Sequence, residues 1–297
     1  MPIIASHFTR TRIAPTPSGY LHLGNVLSFS ITAALAKRYG AKILLRIDDM
    51  DRERVQDEYV QDIFETLHYL SIPWDEGPHD VKEFETTYSQ LHRMELYRTA
   101  LQQLRKTGIL FACDCSRASI LRNNEAGVYT GACVYKQLPL DNAACNWRIN
   151  TSPAMPFTMH TLHGEEQSKL PAGVDYFVVR KKDGYPAYQL CSVVDDLHFN
   201  VDLIVRGEDL RSSTLAQLFL ATQLNATPFT SGTFYHHALL MDTGDQKLSK
   251  SAGATSIKYL RESGCTPANI FAMTGAMAGI STPVNSWETL GSAALSF

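Results

Sequence analysis

No apolar run in these 297 residues reaches the roughly 18 that a membrane-crossing helix needs. The opening Met1-Pro2-Ile3-Ile4-Ala5 lacks the basic stretch and apolar core of a secretory signal. Both absences lead us to expect a cytoplasmic protein with no membrane partner. Nor is there an excess of basic charge: 27 Lys and Arg stand against 30 Asp and Glu, for a net charge of −3. A phosphate-rich partner would therefore have to meet a local patch rather than the whole surface. Internal repeats and low-complexity segments are missing. Charge is scarce at the end, where Ser263 to Phe297 holds one charged residue, Glu288. Six cysteines in a chain without a secretory signal do not suggest a disulfide framework.

What is present reads as a globular enzyme. Hydrophobic residues make up 44%, and 13 Phe, 13 Tyr and 3 Trp are too many for a solvated, disordered chain. The length suits one large or two modest domains. Phe8–Ala14 predicts a strand, and Pro15-Thr16-Pro17-Ser18-Gly19 a loop. A helix is expected from Asn25 to Tyr39 with Gly40 as a left-handed cap. Lys42–Ile47 predicts a buried strand, Asp48–Arg54 a charged loop, and two more helices end near Leu70 and Thr107, the second beginning near Tyr88. Strand and helix in alternation predict a parallel sheet with crossover helices. From Ile109 to Ala187 the pattern changes to a cysteine cluster and short strands at Trp147–Ile149, Phe157–Leu162 and Tyr176–Lys181, with Asp183-Gly184 as a hairpin turn. Alternation then resumes: helix Ala187–Asp196, strand Leu203–Arg206, helix Ser213–Leu224, strand Phe234–Met241, and terminal helices. The expected fold class is α/β, a Rossmann-like parallel sheet with a β-rich insertion. Its expected parts are residues 1–108, the insertion 109–186, and residues 187–297.

Two segments carry the chemistry. In Pro17-Ser18-Gly19-Tyr20-Leu21-His22-Leu23-Gly24-Asn25 a strand ends and a helix begins. A helix start offers free N–H groups and a partial positive charge to a phosphate, Gly24 permits close backbone approach, and His22 can donate to a phosphate oxygen. Lys247-Leu248-Ser249-Lys250-Ser251 is a compact donor cluster able to neutralise a departing pyrophosphate. Alone, the first would pass as an ordinary strand–loop–helix connection and the second as a solvated Lys/Ser loop. Arg12 and Arg206 lie at strand ends, where doubly wound folds bind ligands, and guanidinium forks suit planar carboxylates. Cys113, Cys115 and Cys133 suit a tetrahedral zinc site, for which the residues alone offer Cys145 as the fourth ligand.

Taken together, the two segments resemble the signatures of class I aminoacyl-tRNA synthetases. Thr11-Arg12-Ile13-Ala14-Pro15-Thr16-Pro17-Ser18-Gly19, Leu45-Arg46-Ile47-Asp48-Asp49-Met50-Asp51-Arg52, Trp74-Asp75-Glu76-Gly77-Pro78, Tyr188-Gln189-Leu190-Cys191-Ser192-Val193-Val194-Asp195-Asp196 and Val205-Arg206-Gly207-Glu208-Asp209-Leu210 are similar to the glutamyl branch, in family order. The chain extends 46 residues past Ser251, which leaves no room there for the helical anticodon-binding part of a full glutamyl-tRNA synthetase. The resemblance therefore narrows to the truncated glutamyl-queuosine tRNA(Asp) synthetases, with no anticodon-binding domain.

That resemblance implies ATP-dependent activation of glutamate and transfer of the glutamyl group to queuosine in the anticodon stem-loop of tRNA(Asp). The partners implied are ATP, L-glutamate and that tRNA, with the protein a monomer. It implies His22, Gly24, Asn25, Lys247 and Lys250 as the catalytic set, and His22, Gly24, Asn25, Glu208 and Lys250 at ATP, which brings Mg²⁺ with it. Arg12, Ala14, Thr16, Asp48, Tyr188 and Arg206 are assigned to glutamate. One structural zinc is implied on Cys113, Cys115, Tyr129 and Cys133, with Tyr129 rather than Cys145 as the fourth ligand. Arg180, Lys181 and Lys182 are available for RNA phosphates. Two positions depart from the family: Asp48 stands where Glu is usual, a carboxylate about 1.5 Å shorter, and Ser251 is closer to full-length synthetases. The same two segments would also suit a conventional synthetase without its anticodon part, or a small-molecule nucleotidylyltransferase.

Overall fold

The structure is a computed structural model that describes residues 7–124, 127–152, 156–240 and 256–295. Lys247 and Lys250 lie outside the described residues. The strands in chain order are β1 (Arg10–Ile13), β2 (Lys42–Leu45), β3 (Leu110–Cys113), β4 (Asn146–Ile149), β5 (Phe157–Thr161), β6 (Gly164–Ser168), β7 (Val178–Arg180), β8 (Leu203–Gly207) and β9 (Thr233–His237). The chain divides into two compact units. One comprises Ile4–His92, Val201–Asp209 and Phe234–Phe297; the other comprises Met1–Ile3, Arg93–Asn200 and Leu210–Thr233.

In the first unit β1 and β2 pair in parallel, from Arg10 opposite Lys42 to Ile13 opposite Leu45. Ile43, Leu44 and Leu45 are buried, as a continuous apolar run requires of a strand covered on both faces. The pairing continues past the strands through Arg46 N to Ile13 O at 2.9 Å and Asp48 N to Pro15 O at 2.9 Å. β8 packs against β1 differently. The Asp202 carboxylate accepts from Thr9 N at 2.8 Å and Arg10 N at 3.0 Å, and Asp202 N donates to Arg10 O at 3.1 Å. A carboxylate thus takes N–H groups that a continuous ladder would use. The parallel arrangement expected throughout is seen in the β1–β2 pair, and the fold is a mixed parallel and antiparallel α/β architecture.

The Leu23–Tyr39 helix is buried around most of its circumference and ends at Gly40, whose φ of 70° is the expected left-handed cap. The Pro267–Met277 and Trp287–Ala294 helices pack on it. The approach is closest at Gly291, where a Cβ would fall 2.3 Å from Ser30 O. The Asp57–Tyr69 helix buries Val60, Ile63, Phe64 and Leu67 along one stripe. Buried Asp49 accepts from Ser89 Oγ at 2.6 Å, Gln90 N at 2.8 Å and Arg52 at 2.6 Å, and Met50 N donates to Gln90 Oε1 at 2.7 Å. That knot turns the backbone at Ser89 and Gln90, so the helix expected from Tyr88 begins at Met94, after a tight turn at Gln90–Arg93.

In the second unit the Met94–Lys106 helix packs on the Tyr188–His198 helix. Between them Asp195, fully buried, accepts from Arg93 Nε at 2.8 Å and from the Tyr97 hydroxyl at 2.6 Å. β3, β4 and β7 form an antiparallel sheet, and β5 and β6 form a hairpin from Phe157 opposite Ser168 to Thr161 opposite Gly164. The Asp183-Gly184 turn is present: Lys181 N donates to Tyr185 O at 2.8 Å and Gly184 has φ 87°. β3 and β6 were not expected from the sequence. Among the described residues no helix is long and apolar enough to cross a membrane.

Candidate active site and cysteine cluster

Arg12 and Arg206 lie near the C-terminal ends of β1 and β8, Ala14 and Thr16 in the loop after β1, and Asp48 just past β2, where its N–H donates to Pro15 O. Arg12 and Arg206 are 5% and 3% exposed, and Arg12 donates to Val205 O at 3.1 Å, so the two guanidinium-bearing residues sit on adjoining strands at the same level. Ala14 is half-buried and Thr16 exposed in the loop after β1, while Glu208 is exposed just after β8. Asp48 is buried, and Arg46 grips both of its oxygens, Nε to Oδ1 at 2.7 Å and a terminal nitrogen to Oδ2 at 3.1 Å. Arg46 was missed in the sequence, although a signal existed: in an extended segment residues i and i+2 share a face, so Arg-Ile-Asp places guanidinium beside carboxylate. Tyr188 opens the Tyr188–His198 helix of the second unit and is 42% exposed.

The helix start carries a built-in orientation. His22 is the N-cap of the Leu23–Tyr39 helix. Its Nδ1 accepts from Gly24 N at 3.1 Å, and Asn25 Oδ1 accepts from His22 N at 3.0 Å. An Nδ1 that accepts leaves the proton of the neutral ring on Nε2. Gly24 and Asn25 also have a local task at this helix start. A Cβ on Gly24 would lie 2.9 Å from His22 Cε1, so the missing side chain makes room for the imidazole, and Asn25 completes the capping box. Both set the direction of His22. Ser256, where the described chain resumes, bridges His22, and Ile257 N donates to Leu21 O at 2.8 Å. The stretch that opens with Ser256 thus lies against the helix start.

In the second unit the sulfurs of Cys113, Cys115 and Cys133 lie within 4.8 Å of one another. Cys115 Sγ and Cys133 Sγ are 3.4 Å apart. The Tyr129 hydroxyl accepts from Cys133 N at 2.8 Å and hydrogen-bonds the Cys113 and Cys133 side chains. Arg148 stacks 3.9 Å from the Tyr129 ring centroid and fixes its plane. Burial works against charge on Cys113, yet the bonds from Tyr129 and the Cys115 backbone, with Arg148, hold its thiol below the ordinary value. Burial, then the Cys133 bond, push Cys115 up to about 12. Three converging soft donors with a phenol at their edge fit a tetrahedral Zn²⁺. Cys145, buried nearby, does not belong to the group. The basic residues beyond are all engaged: Arg180 over Trp147 at 5.0 Å, Lys181 with Asp183 at 3.1 Å, and Lys182 with Asp114 O at 3.2 Å.

The model of the tRNA synthetases class I (E and Q) catalytic domain matches residues 9–284. "Glutamate--tRNA ligase 2" of Syntrophus aciditrophicus is 33% identical over 95% of this chain, which spans 60% of that protein. "Glutamyl-Q tRNA(Asp) synthetase" of Nitratidesulfovibrio vulgaris is 33% identical over 91% of this chain and 86% of its own length. A solved glutamate-tRNA synthetase of Elizabethkingia anophelis superimposes with a TM-score of 0.75 at 22% identity, covering 96% of this chain and 65% of that one, a likeness of fold. With the family model spanning nearly all of the chain, the protein belongs to the class I tRNA synthetase catalytic domains for E and Q.

Proposed function

We propose that this chain activates glutamate with ATP and transfers the glutamyl group to queuosine in the anticodon loop of tRNA(Asp). The observation that carries the activation step is the gathering, in one compact unit, of Arg12 and Arg206 at strand ends, the oriented His22 at the helix start, and Ser256 returning to His22. Arg206 and Arg12 hold substrate carboxylate by forked hydrogen bonds, and Asp48 faces the ammonium. The glutamate α-carboxylate attacks the α-phosphorus of ATP; a carboxyl-oxygen-to-phosphorus bond forms and the bond to pyrophosphate breaks. His22 Nε2–H donates to a phosphate oxygen, and Lys250 and Lys247 neutralise the leaving pyrophosphate, whose Mg²⁺ arrives with ATP. Positioning and charge stabilisation supply the rate. A queuosine hydroxyl then attacks the adenylate carbonyl and AMP leaves. Cys113, Cys115, Cys133 and Tyr129 would hold a structural zinc that ties the turn carrying Tyr129 and Cys133 to β3.

The cysteine–tyrosine cluster and the glutamyl-Q relatives support queuosine as the acceptor. The glutamate–tRNA ligase relative, equally similar, favours a second reading: a conventional ligase domain that charges a 3′ end. Lys250→Ala is expected to lower glutamate-dependent ATP–pyrophosphate exchange at least about tenfold, the scale of one lost charged transition-state contact. tRNA(Asp) carrying queuosine but stripped of its 3′-terminal adenosine should still accept glutamate. If trimming abolishes acceptance, or if tRNA lacking queuosine is charged equally well, the conventional reading stands.

A further inference from the structure

We infer that Tyr20, Glu58 and Lys258 form a clamp that fixes the stretch from Ser256 against the His22 helix start, and that they are positioning residues for adenylate formation. The inference rests on the activation reading above and adds three residues that motif reading leaves without a role.

Three stretches of chain meet at one phenol. Tyr20 lies two residues before His22. Its hydroxyl donates to Glu58 Oε2 at 2.7 Å, in the first turn of the Asp57–Tyr69 helix. The same oxygen accepts from Lys258 Nζ at 3.0 Å, in the first turn of the Ile257–Glu262 helix. Lys258 also stands 4.5 Å over the Tyr20 ring, whose edge packs on Tyr59 at 4.9 Å. One hydroxyl that accepts from a cation and donates to an anion polarises both bonds. Lys258 is two residues past Ser256, so the bond holds the stretch that bridges His22. Leu21 and Ile257, joined by the bond to Leu21 O, are 4% and 0% exposed beneath it. A second tie follows one turn later, where Arg261 meets Glu65 at 2.6 Å and Asp62 at 3.3 Å on the same Asp57–Tyr69 helix.

A purely structural pair so exposed would contribute little. This one joins the stretch that bridges His22 to the loop that carries His22, where small displacements of a catalytic donor are costly in rate. Lys258 serves the phenol, so it acts through Tyr20 and not on phosphate.

Lys258→Met keeps the stem and removes the charge. It is expected to lower the kcat of glutamate-dependent pyrophosphate exchange about tenfold with the KM for glutamate within about twofold, the pattern of lost transition-state alignment. Amide hydrogen exchange at Ile257 should quicken by about the same factor, because its bond to Leu21 O is the one the clamp holds closed. Lys258→Arg should return both to near wild type, and adding Tyr20→Phe to Lys258→Met should cost less than Tyr20→Phe does alone, since the bond to Lys258 is already gone and only the one to Glu58 remains to be lost. A Lys258→Met protein with wild-type kcat and wild-type Ile257 exchange overturns the clamp. If the wild-type protein exchanges no pyrophosphate, the activation reading is what fails, and the Ile257 amide alone decides whether the clamp exists.

Discussion

Gly24 shows how a residue can be located correctly in the sequence while part of its task stays hidden. Its place at a helix start is legible from strand, loop and apolar helix in succession. Its function as the space for an imbedded imidazole is not, because that depends on a ring from two residues earlier folding back over it. Gly24→Ala is therefore expected to twist His22 away from Gly24 N and to reduce pyrophosphate exchange by about tenfold or more, the loss typical of one misdirected donor, with glutamate affinity retained. Titration of glutamate by calorimetry beside the exchange assay separates the two; equal losses in both would mean that the substitution disturbs the strand ends instead. Asp48 gives a parallel lesson. Opposite charges two residues apart in a strand are readable, but the bidentate grip of Arg46 is a matter of side-chain reach and burial.

At the scale of elements, legibility followed burial. β2 and the Leu23–Tyr39 helix announce themselves because their apolar residues have to be covered. β6, Gly164-Glu165-Glu166-Gln167-Ser168, carries no apolar side chain and exists because β5 supplies its hydrogen bonds. β3 was hidden by the cysteine that ends it, Cys113, whose neighbour Cys133 lies in a different stretch of sequence. The three cysteines converge as their types and spacing led us to expect, because such a donor set is written in the residues themselves. Cys115→Ser should leave protein with less than the one zinc per chain expected of the wild type by elemental analysis, and should make the turn bearing Tyr129 and Cys133 more susceptible to protease, since a bound zinc would tie it to β3. Wild-type protein purified without chelator and free of zinc would remove the metal from the account.

At the scale of the whole molecule, the Leu23–Tyr39 helix is the most demanding element, with Gly291 of a late helix pressed onto it at Ser30 and Ala34. Gly291→Ala places a methyl 2.3 Å from Ser30 O, an overpacking expected to cost about 1–3 kcal/mol. A thermal melt lowered by several degrees, with no gain in helix content, is the expected result; an unchanged melt would mean that the two helices can separate freely.

The same contact governs how this protein is made. Ser30 leaves the ribosome about 260 residues ahead of the glycine that covers it, an interval on the order of tens of seconds at ordinary synthesis rates. Throughout that time the apolar Leu23–Tyr39 segment has no native partner on that side. The unit that carries the oriented His22 thus waits for a distant stretch of its own chain, and a nascent chain of this kind is a natural client for chaperones that shield exposed helices until translation brings Gly291 out.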